Sequence, residues 1–194
     1  VQMVSYAPYF ISTVVMVGLL LNFLDLRRGP VNLLLMQLGL DPVQFMGSAE
    51  LFPSVYVWSG VWQNTGFATI IYLAALTTVD PSLHEAAVVD GANRLQRMWH
   101  IDIPAITPVI VTVFILNMGQ LLNVGFEKTY LMQNQLNLAT SEVISTYVYK
   151  TGLAGGIANF SYAAAIGLFN SLIGLVLLVS ANWAANRLTN KGLF

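Results

Sequence analysis

Four stretches of this chain contain no Asp, Glu, Lys or Arg, and each is long enough to cross a bilayer: residues 1–24, 51–79, 103–126 and 152–186. A helix rises 1.5 Å per residue, so about 20 residues cover the roughly 30 Å of hydrocarbon. Lipid cannot satisfy bare backbone N–H and C=O groups, so each span must be helical. The spacing predicts transmembrane helices at about 6–24, 53–78, 105–126 and 162–186. The fold class is therefore all-α, a polytopic helical bundle, with 1–194 as one transmembrane domain.

The remaining composition agrees. Only 9 % of the 194 residues are charged, whereas a soluble domain runs near a quarter. An ordinary cytosolic enzyme is excluded. Eight Lys+Arg against nine Asp+Glu leave no basic patch for nucleic acid. There is no cysteine, which excludes disulfide scaffolds, thiolate metal sites and Cys nucleophiles.

The first span lacks a basic n-region and a small-residue cleavage site, so it does not read as a signal peptide. The chain starts directly before a span and without Met, which predicts preceding N-terminal sequence. Between spans, 31–40 is apolar but too short to cross, which predicts an interfacial or re-entrant helix. The 127–159 loop should hold a short helix near 141–151, ended by Gly152. Arg27, Arg28, Lys128 and Lys150 lie on one side of the bundle, and Arg94, Arg97, Arg187 and Lys191 on the other. The positive-inside rule therefore ties.

Residues 80–104 are the most richly titratable stretch. Asp80-Pro81 is a helix start, because Asp accepts orphan N–H bonds and Pro suits the first helical position. Glu85 falls in the early turns, where negative charge suits the dipole. Asp90-Gly91 ends the helix, Gly supplying a left-handed cap. A second short helix should follow over 92–100, and Pro104 should hold residue 103 away from the helical region and fix the angle into the next span. On these grounds alone the segment is either an ordinary polar loop or a docking element.

Its spacing is more specific. Glu85-Ala86-Ala87, three residues, Gly91, nine residues, Ile101, one residue and Ile103-Pro104 resembles the EAA motif of ABC importer permeases. Ile103 stands where Leu is usual. The stretch VDPSLHEAAVVDGANRLQRMWHIDIPAITP is similar to the carbohydrate branch. SYAPYFIS, GFEKTYLM, ISTYVYKTGL and the terminal NKGLF resemble polysaccharide/lipoprotein-type sugar permeases. The likeness runs through essentially the whole chain.

This resemblance implies a type I importer permease in the bacterial cytoplasmic membrane, usually of six spans, with the first two lying outside this sequence. It implies that 80–104 is the cytoplasmic coupling segment, with Glu85, Ala86, Ala87, Asp90, Gly91 and Pro104 acting toward a separate ATP-binding subunit present in two copies. Small Ala86 and Ala87 would allow close approach, and Glu85 could pair with a cation at the rim of the partner cleft. ATP and Mg would be bound by that partner, with no cofactor in this chain. Further implied partners are a second, homologous permease and an extracytoplasmic solute-binding protein, which the 25–50 and 127–160 loops would meet.

Polar side chains inside spans are costly and usually face the bundle interior. Trp62, Gln63 and Asn64, with Phe67 one turn beyond Gln63, mark the second span. Asn117, Gln120 and Asn123 should share one face of the third. Asn170 lies in the fourth. Amides and aromatics without charge suit a neutral sugar, although such amides also hold helices together. The resemblance favours these residues as the substrate pathway. An anionic substrate would favour Arg or Lys, which the spans lack. Gly167, Ser171 and Gly174 form a small-residue strip suited to helix packing.

Two histidines sixteen residues apart make no metal site. No Walker phosphate loop is present, and no Gly-x-Ser-x-Gly elbow. The chain reads as a transport subunit and not an enzyme, moving an oligosaccharide or sugar derivative by alternating access. Alternatives are an ABC permease for peptides or amino acids, or an ATP-independent channel or secondary transporter. A coupled secondary transporter would need ionisable groups within the spans.

Overall fold

The computed structural model describes residues 2–154 and 159–189. Among them there is no strand. The terminal NKGLF lies outside the described residues. Two compact units form, one from 1–66 and 123–170, the other from 67–122 and 171–194.

The first unit opens with α1 (Gln2–Tyr6), a 3-10 turn (Ala7–Phe10) and α2 (Thr13–Phe23). The predicted span at about 6–24 is formed by two helical pieces, turned by 103°. The cause is local. Pro8 lies in the 3-10 turn, Ile11 and Ser12 are extended, and the Ser12 side chain caps a new helix by accepting from Val15 N. Hydropathy does not register such a cap. Where α1 meets α4 (Phe52–Leu76), a Cβ on Gly66 would overlap the Ser5 carbonyl.

α3 (Pro30–Gln37) is the short helix predicted after the first span. The 127–159 segment forms α8 (Phe126–Met132), α9 (Leu138–Ser141) and α10 (Ile144–Tyr149), with a π turn at Lys150–Ala154. Val17, Phe52 and Met132 are the buried core, with Leu20, Met46, Val55 and Tyr56 packed against them.

Two buried asparagines organise the connecting segments. Asn32 Nδ2 donates to the carbonyls of Asp25 and Val43, and its Oδ1 accepts from Val43 N. Asn137 Nδ2 donates to Met46 O and Met132 O, while its Oδ1 accepts from Asn134 N and Ser141 Oγ. Thr140 Oγ1 adds a bond to Ala49 O at 2.6 Å. The 25–50 and 127–150 segments are thus joined by polar contacts to backbone that no ladder would otherwise satisfy.

In the second unit, α5 (Pro81–Val89) leaves the end of α4 at 75°. α6 (Arg94–Arg97), a π turn (Met98–Asp102) and α7 (Ile103–Gly119) run on as one helix, Arg94–Gly119. α11 (Phe160–Thr189) is the last long helix. A Cβ on Gly174 would lie 3.2 Å from Gly119 O, and one on Gly119 would lie 2.9 Å from Leu178 Cδ1. The small-residue strip thus has its packing role at Gly174. Arg94–Gly119 and Phe160–Arg187 are each long and apolar enough to cross a membrane, and there are up to four spans if each bent pair is one.

Candidate functional site

The 80–104 segment is built from caps. Asp80 Oδ1 accepts from Ser82 N at 2.9 Å. Bonds from the Ser82 backbone and side chain hold the Asp80 carboxyl below its usual range. At the other end Gly91 has φ +78. Gly91 N donates to Val88 O and Ala92 N to Ala87 O, the paired bonds of a Schellman turn. The next helix starts from a capping box, Gln96 N to Asn93 Oδ1 and Asn93 N to Gln96 Oε1. The spacing Asn-x-x-Gln carries that signal in the sequence, where only Gly91 draws attention.

Glu85, Ala86 and Asp90 are exposed, and Ala87 is partly buried. Leu83, Val88 and Val89 are also exposed, Val89 at 87 %. An apolar nine-residue helix with no buried residue presents its surface outward. His84 Nε2 meets Asp102 Oδ1 at 3.2 Å and ties α5 to the π turn.

Pro104 acts differently from its predicted role. Ile103 stays helical, at φ −61 and ψ −48, and its N–H donates to Met98 O. Proline normally disfavours this conformation in the residue before it. It also clashes with the carbonyl four residues back. A π turn over Met98–Asp102 widens the backbone at that point. The proline is therefore absorbed, and the expected separate helix at 92–100 is the first part of one continuous rod.

A polar cavity of about 550 Å³ lies in the first unit, lined by Tyr9, Ile11, Ser12, Thr13, Tyr56, Gly60, Gln63, Asn64, Gly125 and Lys128. Gln63 Nε2 donates to Ile11 O at 2.9 Å, at the break between the 3-10 turn and α2. Asn64 Nδ2 donates to Gly60 O within α4. Lys128, on α8, is only 9 % exposed. Its ammonium donates to Tyr56 O at 2.9 Å and sits 4.6 Å from the Tyr56 ring centroid. Burial pushes its pKa below the ordinary lysine value. A Cβ on Gly60 would come 3.3 Å from Nζ, so glycine makes room for the ammonium.

Lys128 was missed in sequence because it lies outside every predicted span. A lysine among Phe126, Tyr130, Leu131 and Met132 was the available signal. Tyr9 also lines the cavity.

The other pathway residues separate. Trp62 lines an apolar groove with Met16, Leu20, Phe23, Val55 and Trp58. Phe67, Asn117 and Gln120 belong to the second unit and do not line the polar cavity. The shared face predicted for Asn117, Gln120 and Asn123 does not form, because α7 ends at Gly119. Gln120 N and Leu121 N close onto Asn117 O and Met118 O, and Asn123 lies beyond the helix. Asn170 has a buried Oδ1 without a hydrogen-bond partner among the described residues.

The family model described as binding-protein-dependent transport system inner membrane component matches residues 1–190. The chain is 41 % identical over its full length to Protein LplB of Bacillus subtilis. It is 42 % identical to the polygalacturonan/rhamnogalacturonan transport system permease protein YteP of the same organism. It spans 60 % of the length of each of these relatives. Among solved structures it is similar to a chain of a bacterial alginate ABC transporter in complex with an alginate pentasaccharide-bound periplasmic protein. That match has TM-score 0.94 and 40 % identity, covering 99 % of this chain and 66 % of that one.

Proposed function

This chain belongs to the binding-protein-dependent transport system inner membrane component family and has the type I ABC permease fold, and on that premise we propose that it is the permease subunit of an ATP-driven oligosaccharide importer. Its partners would be two ATP-binding subunits, a second permease and an extracytoplasmic solute-binding protein. The setting would be the bacterial cytoplasmic membrane, crossed several times. ATP and Mg would bind the ATP-binding subunits.

The observation that carries this reading is the helix α5. It bears Glu85-Ala86-Ala87, exposes Leu83, Val88 and Val89, and is closed by the left-handed Gly91 turn. Exposed apolar patches on an otherwise polar segment suit a docking surface. Ala86 and Ala87 let a partner backbone approach closely. The Schellman turn hands α5 to the continuous helix Arg94–Gly119. Closure of the ATP-binding subunits would then move α5 as a rigid piece and drive that helix, which is alternating access by rigid-body motion.

Saccharide as the solute is supported by the names of the relatives. Further support is the amide-lined cavity at Gln63 and Asn64. The test is uptake of labelled oligosaccharides by proteoliposomes carrying the full-length permease with its partners. Uptake should require ATP inside the vesicle and the solute-binding protein outside, and Gly91→Pro should abolish it. Uptake unaffected by removing ATP would contradict the reading.

A further inference from the structure

The cavity around Lys128 holds a cation that the spans themselves do not supply. Its ammonium has three donors. One goes to Tyr56 O, and the ring of the same tyrosine lies beneath it. The ion pairs among the described residues are His84–Asp102 and Lys150–Glu142, so no carboxylate there pairs with Lys128. Burying a charge without a counter-charge is costly. The Tyr56 carbonyl and ring offset part of that cost, and Gly60 clears space for Nζ.

Beside the ammonium lie two neutral amides. Gln63 commits its Nε2 to Ile11 O, and its Oε1 makes no hydrogen bond among the described residues. That oxygen is an acceptor for a hydroxyl. The cavity volume of about 550 Å³ falls within the range of small-molecule sites. One buried monocation in a cavity with two amides matches a sugar unit that carries one negative charge among several hydroxyls. A dianionic phosphate would call for more than one cation, and Lys128 is the only cationic side chain lining this cavity.

We propose that Lys128 reads the carboxylate of a uronic acid residue, so that the transported saccharide is acidic, with Gln63 and Asn64 contacting its hydroxyls. This rests on the saccharide-importer reading and deepens it. An arriving carboxylate supplies the missing counter-charge, and a neutral sugar does not. Charge-assisted hydrogen bonds are about twice as strong as neutral ones, so selectivity for the anion should depend on the ammonium.

The test uses the full-length permease in its complex, with one unchanged solute-binding protein, in proteoliposomes. The probes are trigalacturonate and its neutral methyl ester, and the readout is the ratio of their uptake rates. In the wild type the acid is preferred. Lys128→Met and Lys128→Gln should lower the ratio by at least about tenfold, in line with a lost hydrogen bond to a charged group. Lys128→Arg should hold it within about threefold, because the charge is kept.

An unchanged ratio in Lys128→Met overturns the proposal. So does equal loss of both probes in the Met and Gln variants, which would make the ammonium a structural prop on Tyr56. A wild type that moves the ester but not the acid overturns it while leaving the saccharide reading intact. A wild type that moves neither defeats the saccharide reading and this assignment with it.

Discussion

His84 Nε2 lies 3.2 Å from Asp102 Oδ1, so the EAA helix is fastened to the turn that begins the next long helix. Both side chains are about a third exposed, at 31 % and 28 %, and such pairs contribute under about 1 kcal/mol. The contact should matter for transmitting motion more than for stability. His84→Ala and Asp102→Ala should each lower the solute moved per ATP by about two- to fivefold, the range that such an energy allows. The double variant should be no worse than either single one. Additive losses in transport assays would separate the two residues.

Gly91 is a conformational requirement and not a steric one. Its φ is +78, and a Cβ there would meet nothing within 4 Å. Gly91→Asn should therefore be tolerated better than Gly91→Val, because Asn visits the left-handed region and a β-branched residue is penalised by about 1–2 kcal/mol. Gly91→Pro should be worst, since it also removes the N–H that bonds Val88 O. Co-purification of the ATP-binding subunit with each variant checks the order Gly, Asn, Val, Pro.

Asn137 is fully buried and bonds to Met46 O, Met132 O, Asn134 N and Ser141 Oγ. Asn137→Leu would strand Met132 O, Asn134 N and Ser141 Oγ, while Met46 O would keep its bond from Asn134 Nδ2. The expected loss is about 2–4 kcal/mol, since each stranded buried group costs about 1–3. A thermal-melting series on the purified complex should show it, with Asn32→Leu behaving alike. A melting midpoint unchanged in both would mean that these segments are held by other contacts.

Gly66 faces the Ser5 carbonyl so closely that a Cβ would overlap it. Gly66→Ala should force α1 away from α4 at a cost of about 1–3 kcal/mol, the range for overpacking. Gly18 has nothing within 4 Å of its Cβ position, so Gly18→Ala should be neutral or slightly stabilising. Paired melting curves of the two variants test the difference.

How much of this was legible depends on the kind of signal. Apolar runs located the long helices, because charge is excluded from lipid and hydropathy is a sum over many residues. Asp80 and Gly91 located the helix α5 and its closing turn, because caps and left-handed turns restrict residue type. Single-residue events were less legible. The break at Ile11-Ser12 depends on one cap, and the end of α7 at Gly119 depends on a tightened last turn. Of the candidate residues, Asn123 thereby fell beyond the helix. Pro104 misled, because a π turn can absorb a proline that would otherwise end a helix. Lys128 was hidden because charge patterning assigns a lysine between spans to the surface. Its burial comes from tertiary packing that sets Nζ against Tyr56 and Gly60.

The central claim is that α5 docks on an ATP-binding subunit. These 194 residues contain no cysteine, so within them an introduced cysteine is a single labelling site. The decisive measurement is photo-crosslinking of Ala86→Cys, carrying a maleimide–benzophenone probe, in native membranes. Leu136→Cys, on the segment joined to the 25–50 loop, is the control. The account predicts that the Ala86 adduct contains the ATP-binding subunit, that ATP changes its yield, and that the Leu136 probe gives no such adduct. An Ala86 probe that captures only lipid or permease, in a complex that still imports solute, would contradict it.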